Sequence, residues 1–184
     1  MAKKLGYLLY ACTGIFLLLL GLAWNGKIDL ASKTTAFATA SSQTGKEHPM
    51  LAITFDDGPH PVYTPQLLDG LKRRNVKASF FLMGKNILGN EEIIQRMHEE
   101  GHLIGNHTFD HVRLNKLSDS EACNQITKTS NLIYEITGQY PSYVRPPFGE
   151  WKEGLDCTVT MLPVFWDVDP LDWNTQNADQ VVQK

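Results

Sequence analysis

The sequence predicts an α/β fold with a parallel sheet, beginning near residue 49. Short apolar runs of strand length alternate with segments that carry helix start and stop signals. Four clusters of polar residues, at positions 56–57, 107 and 111, 145–149 and 169–173, each follow an apolar run and are expected to converge at one edge of the sheet. Alternating strands and helices favour a parallel sheet, in which the loops after the strands hold the functional groups.

The first predicted unit is a strand over residues 51–55 followed by a helix. The strand ends at the turn signal of residues 56–59, Asp-Asp-Gly-Pro. Thr64 then has the side chain of an N-cap, and Pro65 is suited to a first helical turn. The helix is predicted to end at three basic residues, which suit the negative end of the helix dipole: Lys72, Arg73 and Arg74.

Two further units repeat the strand-helix order. Residues 76–82 form the second predicted strand, and the next helix begins after Asn90 and ends at Gly101. The third strand begins at residues 102–104, and its helix spans residues 118–138, from a Ser-x-x-Glu capping box to a terminal glycine. The remaining predicted elements are strands near residues 143–144 and 163–166, and the start of a helix at residues 177–184.

The N-terminal region predicts a membrane anchor rather than part of this domain. Residues 5–24 contain no formal charge, and 20 residues at ~1.5 Å each match a bilayer core of roughly 30 Å. Lys3 and Lys4 are expected to stay cytoplasmic, so residues 1–24 form a single-pass signal-anchor in the cell membrane and the domain is extracytoplasmic. A cleaved signal peptide ending near Ala36-Phe37-Ala38, which would make the domain secreted, is the alternative. Residues 25–48, rich in Ser, Thr, Ala and Gly, predict a flexible linker to a domain at residues 49–184.

Composition restricts the partners and the cysteine chemistry. The formal net charge of −3 argues against nucleic acid as a partner. Cys12 lies in the predicted anchor, which leaves Cys123 and Cys157 for a disulfide. A domain of this size does not need a bridge for stability, so two unpaired core thiols are the preferred interpretation. The sequence does not indicate an oligomeric state.

Polar residues after the predicted strands indicate a divalent metal site. His107 and His111 are four residues apart, so both imidazoles can face one ion. Two successive carboxylates, Asp56 and Asp57, point in opposite directions on an extended backbone, so one is expected to bind the ion and the other to transfer protons. Arg145 can neutralise and orient a carboxylate. An ordinary turn that merely ends a strand is the alternative explanation of the aspartates.

Four motifs resemble those of the polysaccharide deacetylases, the NodB-homology domain of carbohydrate esterase family 4. In chain order they are Thr54-Phe55-Asp56-Asp57-Gly58-Pro59, His107-Thr108-Phe109-Asp110-His111, Arg145-Pro146-Pro147-Phe148-Gly149 and Asp169-Pro170-Leu171-Asp172-Trp173. The resemblance implies a distorted (β/α) barrel. It also implies a metal-dependent hydrolase that removes acetyl groups from N-acetylated sugars.

The same resemblance assigns roles to individual residues. It implies that a divalent metal, Zn²⁺ or else Co²⁺ or another transition metal, binds the side chains of Asp57, His107 and His111. Asp56 would be the catalytic base and Arg145 would orient it. The backbone N–H of Phe148 would bind the oxyanion, and Asp172 would tune a catalytic histidine. Pro147 would contact the substrate, and Trp173 would wall the acetyl pocket.

One family motif has no counterpart in this sequence. A fifth motif supplies that histidine, the general acid, but the residues after Trp173 include no histidine. We therefore expect a C-terminally truncated member with an incomplete barrel and impaired amide hydrolysis. Peptidoglycan N-acetylglucosamine is the leading expected substrate, ahead of chitin oligosaccharides and acetylated xylan. A membrane-tethered, catalytically inactive carbohydrate-binding relative is the alternative function.

Overall fold

The computed structural model describes residues 50–157, 160–175 and 177–182. The predicted anchor (1–24) and linker (25–48) lie outside these residues, and so do the last two residues of the predicted C-terminal helix. In the described part of the chain, no helix combines the length and the apolar character needed to cross a bilayer.

Five short strands form one parallel sheet. They are β1 (Thr54–Phe55), β2 (Ser79–Leu82), β3 (Leu103–Asn106), β4 (Tyr143–Val144) and β5 (Leu162–Pro163). Each strand pairs with the next one in the chain, so the sheet order is β1-β2-β3-β4-β5. A doubly wound sheet reverses its strand order, whereas successive strands of a (β/α) barrel are neighbours throughout. The predicted α/β fold with a parallel sheet is confirmed.

In the described residues, six helices lie between or after the strands. They are α1 (Tyr63–Arg73), α2 (Gly84–Ile87), α3 (Glu91–Glu99), α4 (Asp119–Thr137), α5 (Asp172–Thr175) and α6 (Ala178–Val182). Short 3₁₀ turns occur at Leu114–Lys116 and Pro147–Gly149. Helix α2 was not predicted, because a single turn carries too few apolar residues for helical periodicity to be recognised.

The longest helix, α4, begins and ends where the sequence predicts. The side chain of Ser118 accepts a hydrogen bond from the Glu121 N–H, and the Glu121 carboxylate accepts one from the Ser118 N–H. At the other end Gly138 has a left-handed conformation with φ of 72°. These local signals act within a few residues, so they can be recognised without knowledge of the rest of the fold.

Other boundaries differ from the prediction. Helix α1 begins at Tyr63, and Val62 rather than Thr64 is its N-cap residue. The Thr64 hydroxyl instead accepts a hydrogen bond from the His60 N–H (2.8 Å). Strand β1 is shorter than the predicted 51–55, since only Thr54 and Phe55 pair with β2.

The core has two parts on different elements. The larger cluster packs α1, α3 and α4 against the sheet through residues that include Leu68, Leu82, Ile94, Met97 and Ile133. A smaller cluster has three buried residues, Leu114, Ala122 and Ile126. Residues that follow β4, among them Trp151, Leu155 and Cys157, pack against the smaller cluster.

The prediction of two unpaired thiols is wrong. Cys123 on α4 and Cys157 form a disulfide, with their Cα atoms 5.3 Å apart. Their separation of 34 positions in the sequence gives no local signal for pairing. The two cysteines meet because the chain after β4 folds back over α4, a tertiary arrangement that cysteine spacing alone does not indicate.

Candidate metal centre and active site

The carboxyl ends of β1, β3 and β4 bring together three of the four predicted polar clusters. Asp56 and Asp57 follow β1, His107 follows β3, and Arg145 follows β4. Parallel strands end at one edge of a sheet, so residues far apart in sequence become neighbours there. We call this the functional edge of the sheet.

Asp57, His107 and His111 lie close enough to bind one ion. Their potential ligand atoms are all within 4.8 Å of one another. The Oδ1 atom of Asp57 is 3.4 Å from Nε2 of His107 and 3.3 Å from Nε2 of His111. The structure therefore brings together the three residues that the sequence indicated as candidate ligands.

The spacing and chemistry of these donors fit a transition-metal ion. A tetrahedral zinc ion with bonds of about 2.0–2.1 Å places neighbouring donor atoms about 3.3 Å apart, close to the two distances observed here. Imidazole nitrogens suit zinc and similar metals better than magnesium or calcium. Two nitrogens and one carboxylate oxygen leave a fourth tetrahedral position open.

The orientation of the His107 ring also favours metal binding. Its Nδ1 lies 2.7 Å from the backbone carbonyl of Arg145. A carbonyl can only accept, so Nδ1 donates this hydrogen bond and Nε2 is the nitrogen that faces Asp57. Such a hydrogen bond to the far side of a ligating imidazole fixes its orientation.

The backbone at two of the candidate ligands is held in an uncommon conformation. Asp57 has φ of 66° and His111 has φ of 59°. Asn86 donates to the backbone carbonyl of Asp57 (2.7 Å), and the Met83 N–H donates to the carbonyl of Gly58 (3.0 Å). Positive φ in non-glycine residues is unfavourable, so these hydrogen bonds from the start of α2 help to keep Asp57 in place.

Local electrostatics favour the metal-binding forms of Asp57 and His111. A hydrogen bond with His107 lowers the pKa of Asp57, against the opposing effect of burial, and His107 and His111 lower it further. Burial lowers the pKa of His111, although Asp57 opposes this. An ionised carboxylate and neutral imidazoles are the states required for ligation.

Asp56 forms an ion pair with Arg145. Arg145 Nη1 donates to Asp56 Oδ1 (2.8 Å) and to the hydroxyl of Thr54 (2.7 Å). Its Nη2 donates to the carbonyl of Phe165 (3.0 Å). The guanidinium also lies 4.2 Å from the centre of the Phe81 ring. Because Arg145 is only 4% exposed, these contacts hold its side chain in one orientation.

The environment of Asp56 differs from that of Asp57. Burial raises the pKa of the Asp56 carboxyl above its usual value, while His107 and Arg145 oppose the rise. Two adjacent carboxylates are thus shifted in opposite directions, Asp56 upward and Asp57 downward. Such opposite pKa shifts are common where one carboxylate binds a cation and the other transfers protons.

Phe148 lies beside His111. Its ring is 4.7 Å from the His111 ring in an edge contact, and the Arg113 guanidinium lies 4.0 Å above the Phe148 ring. Phe148 has φ of 62° within the 3₁₀ turn and is half exposed. Pro147, which begins the same turn, is buried. The Arg145–Gly149 motif is therefore part of the functional edge.

The fourth predicted cluster is not joined to this group by contacts. Asp172 begins α5, and Trp173 on the same helix is 72% exposed. Within the described ranges, neither residue shares a hydrogen bond, ion pair or ring contact with the candidate ligands, Asp56 or Arg145. The roles expected for Asp172 and Trp173 stay predictions.

Three contacts in the site were not anticipated from the sequence. The Thr54 hydroxyl and the Phe165 carbonyl both accept from Arg145, and Asn86 supports the Asp57 turn. Thr54 could have been suspected, because it lies two residues before Asp56 in a strand and so points to the same face. The Phe165 carbonyl could not have been suspected, because every residue type has a backbone carbonyl.

The chain is similar to known proteins in sequence and in fold. A family model described as polysaccharide deacetylase matches residues 43–160. The peptidoglycan-N-acetylglucosamine deacetylase PgdA of Listeria monocytogenes is 41% identical over 139 residues, which cover 76% of this chain and 30% of the relative. The chain thus spans less than a third of that relative's length.

Solved structures share the fold. The peptidoglycan deacetylase PdaC of Bacillus subtilis is 40% identical, with a TM-score of 0.71 over 74% of this chain and 68% of the other. A family 4 carbohydrate esterase pseudoenzyme of Bacillus anthracis is 27% identical, with a TM-score of 0.68 over 76% of this chain and 50% of that protein. Together with the family match over most of the described domain, these likenesses show that the chain belongs to the polysaccharide deacetylase family.

Proposed function

We propose that this protein is a metal-dependent hydrolase that removes acetyl groups from N-acetylated polysaccharide. The observation that carries the proposal is the convergence of Asp57, His107 and His111 beside Asp56, a carboxylate with a different electrostatic environment. A structural turn would not require two imidazoles to face one of two adjacent aspartates. The family membership supports the same conclusion.

In the proposed site Asp57, His107 and His111 hold the ion. A divalent metal, zinc by preference, supplies Lewis acidity that polarises a carbonyl group and makes water more acidic. Cobalt or another transition metal would satisfy the same donors. Arg145 contributes through its backbone carbonyl, which fixes the His107 ring so that Nε2 faces Asp57.

Asp56 is the proposed general base. It accepts a proton from the water that attacks the acetyl carbon, and a pKa raised by burial makes it a stronger base than an exposed aspartate. Arg145 holds the Asp56 carboxylate in place with a 2.8 Å hydrogen bond. Charge then develops on the acetyl oxygen, where the Phe148 N–H is the proposed donor.

The acetyl group is proposed to bind beside the Pro147–Gly149 turn. Pro147 and Trp173 are the proposed substrate contacts, and Asp172 is proposed to act on the group that protonates the leaving amine. Pro147 supports this placement because it adjoins Phe148, which touches the His111 ring. Trp173→Ala should therefore lower turnover of both the glycan and a small acetate ester, and unchanged turnover of both would contradict this arrangement.

Peptidoglycan N-acetylglucosamine is the proposed substrate, with chitin oligosaccharides and acetylated xylan as the alternatives. The name of the Listeria relative supports the first choice. The domain at residues 49–184 is proposed to lie outside the cytoplasm, held by a single-pass anchor at residues 1–24 and a flexible linker at 25–48. The Cys123–Cys157 disulfide supports this location, because disulfides persist in oxidising compartments. Protease accessibility on intact cells tests it.

Acetate release by the zinc-loaded protein tests the proposed reaction. Two substrates are compared: peptidoglycan, whose amine must be protonated to leave, and an aryl acetate, whose leaving group needs no proton. We expect greater turnover of the aryl acetate, and Asp56→Asn should reduce it by about 10²- to 10⁴-fold without loss of zinc. Asn124→Ala, on an exposed position of α4, is the control and should keep full activity.

Two results would separate the proposal from its alternative. If zinc binds but neither substrate is cleaved, the protein is a catalytically inactive, carbohydrate-binding relative, as one of its structural neighbours is named a pseudoenzyme. A titration with N-acetylglucosamine oligomers then tests glycan binding. Full activity of Asp56→Asn would instead show that the base is assigned wrongly.

A further inference from the structure

A side chain on α4 holds the segment between the two candidate histidine ligands. Gln125 on α4 accepts hydrogen bonds through Oε1 from two successive N–H groups, those of Phe109 (3.1 Å) and Asp110 (2.8 Å). Its Nε2 donates to Oδ2 of Asp110 (2.9 Å). One side chain therefore makes three hydrogen bonds to the residues that separate His107 from His111.

This segment needs such support because its backbone is unfavourable. Thr108 and His111 both have positive φ, of 64° and 59°. Each is a non-glycine residue in a sparsely populated region, which the surrounding contacts must stabilise. The hydrogen bonds of Gln125 lie between these two positions and restrict how the chain reaches His111.

Other supports of the segment act nearer to His107, through the backbone of α2, or on the Phe109 ring, over which Lys128 Nζ lies at 4.0 Å. Asn106 accepts from the Thr108 N–H (2.8 Å). The Gly84 and Lys85 N–H groups donate to the carbonyls of Thr108 and Phe109. Gln125 is the support that reaches Asp110, the residue directly before His111.

Helix α4 is a rigid base for this side chain. Its start is fixed by the Ser118–Glu121 capping box, and Ala122 and Ile126, on either side of Gln125 in the sequence, are buried in the smaller core cluster. The position of Gln125 is consequently set by packing that does not involve the metal ligands. A fixed donor and acceptor on a helix can hold a loop more firmly than another loop can.

We propose that Gln125 is a positioning residue for the metal site, which sets the placement of His111 relative to Asp57 and His107. The inference rests on the proposed metal-dependent function. Gln125 contacts neither the ligand atoms nor the reacting atoms, so its effect passes through the 108–110 segment. Loss of a residue that hydrogen-bonds to a metal ligand without itself binding the metal commonly weakens metal affinity by roughly 10- to 100-fold.

Zinc affinity of the full chain, measured by competition with a chelating dye, tests this role. Gln125→Ala removes all three hydrogen bonds and should weaken zinc binding by about 10- to 100-fold. Gln125→Glu keeps an acceptor for the two N–H groups but places a carboxylate against Asp110, so it should also weaken binding. Asn124→Ala on the same helix should bind zinc as the wild type does.

A double variant distinguishes positioning from general destabilisation. Gln125→Glu combined with Asp110→Asn reverses the amide and the carboxylate, so all three hydrogen bonds can form again with unchanged net charge. It should recover most of the zinc affinity lost in Gln125→Glu alone, whereas Asp110→Asn alone should change little. Thermal unfolding of each variant in excess chelator reports the stability without metal.

The outcomes separate this inference from the proposed function. Wild-type zinc affinity in both Gln125→Ala and Gln125→Glu would overturn the positioning role while leaving the metal site intact. A double variant that binds no better than Gln125→Glu would also overturn it, because restored hydrogen bonds would then have no effect. Absence of zinc binding by the wild type would overturn the proposed function, and the positioning role with it.

Discussion

Arg145 connects two groups of the proposed active site through different parts of one residue. Its guanidinium donates to Asp56, the proposed base, and its backbone carbonyl accepts from His107, a proposed ligand. The pairing of Arg145 with a carboxylate could be anticipated from its charge and the two adjacent aspartates. Its carbonyl contact could not, since every residue type has a carbonyl and only the fold decides where it points.

Removal of the Arg145 charge is expected to change the pH dependence of the reaction. Burial raises the pKa of Asp56 and Arg145 opposes the rise, so the pKa should increase further in Arg145→Gln. Asp56 acts as a base only when ionised, so the acidic limb of kcat/KM should move to higher pH. The zinc-loaded variant and wild type are compared with an aryl acetate across the pH range.

Two controls accompany this comparison. Zinc affinity of Arg145→Gln shows whether the ligands are still in place, and Arg145→Lys keeps the charge but loses the planar set of donors. Arg145→Lys should therefore shift the acidic limb less than Arg145→Gln. An acidic limb at the same pH in all three proteins would contradict the assigned coupling between Arg145 and Asp56.

The candidate ligand residues could be predicted from the sequence, but the residue that holds the segment between the two histidines could not. His107 and His111 have the spacing of a ligand pair, and aspartates at a strand end are typical oxygen donors. Gln125 lies outside every recognised motif, at a half-buried position of a helix whose contacts the sequence does not indicate. Its importance depends on how α4 packs beside the 108–110 segment, which is tertiary information.

Elements with local signals were predicted best. Helix α4 has a capping box and a terminal glycine, so both its ends were predicted correctly. Strand β1 has only two paired residues, because its extent depends on where β2 offers partners. The disulfide has no local signal at all, because it joins α4 to a segment that follows two later elements.

One contact network joins several elements at the start of β3. His102 is 7% exposed, and its Nδ1 accepts a hydrogen bond from the Ala78 N–H (3.2 Å) before β2. Nε2 of His102 lies 3.8 Å from Oε2 of Glu100, whose Oε1 accepts from Lys72 on α1 and Arg96 on α3. The Ala78 hydrogen bond requires an unprotonated Nδ1, so the neutral form of His102 is the one that fits.

Stability is therefore expected to fall as His102 becomes protonated. Burial lowers the pKa of His102, with Lys77 and Arg96 acting in the same direction and Glu100 opposing. The unfolded chain, with an ordinary histidine pKa of about 6.5, then binds a proton more readily than the native state. This contribution is fully present above about pH 6.5 and is lost as the pH falls toward the lower native pKa.

Urea unfolding of wild type and His102→Gln measures the effect. Glutamine can still accept from the Ala78 N–H but does not titrate, so its stability should depend less on pH. The advantage of the wild type should shrink between about pH 7.5 and about pH 5.5. A constant difference in the free energy of unfolding across this interval would show that His102 does not titrate as proposed.

At the scale of the whole molecule, the parallel sheet separates two kinds of polar residue. His102 precedes β3 and His107 follows it, so they lie at opposite ends of one strand. The first joins elements around the sheet, and the second belongs to the functional edge. Such a division is typical of (β/α) architectures, in which the carboxyl ends of the strands hold the chemistry.

The overall arrangement was predictable because it follows from the order of elements. Alternation of strands and helices predicted the parallel sheet, and the sheet predicted that four clusters would meet at one edge, where the structure brings three of them together. The position of the fourth cluster was not predictable in the same way. Asp172 and Trp173 follow β5, which lies at one side of the sheet, and nothing in their residue types fixes how the chain turns there.

Zinc stoichiometry of the purified chain tests the central claim most directly. We predict one zinc ion per chain. Each of Asp57→Ala, His107→Ala and His111→Ala should reduce zinc affinity by more than the roughly 10- to 100-fold that is typical when a residue supporting a metal ligand is lost. Asp56→Asn should still bind one ion, because Asp56 is assigned to proton transfer. Failure of the wild type to bind zinc, or equal binding by all four variants, would contradict the account.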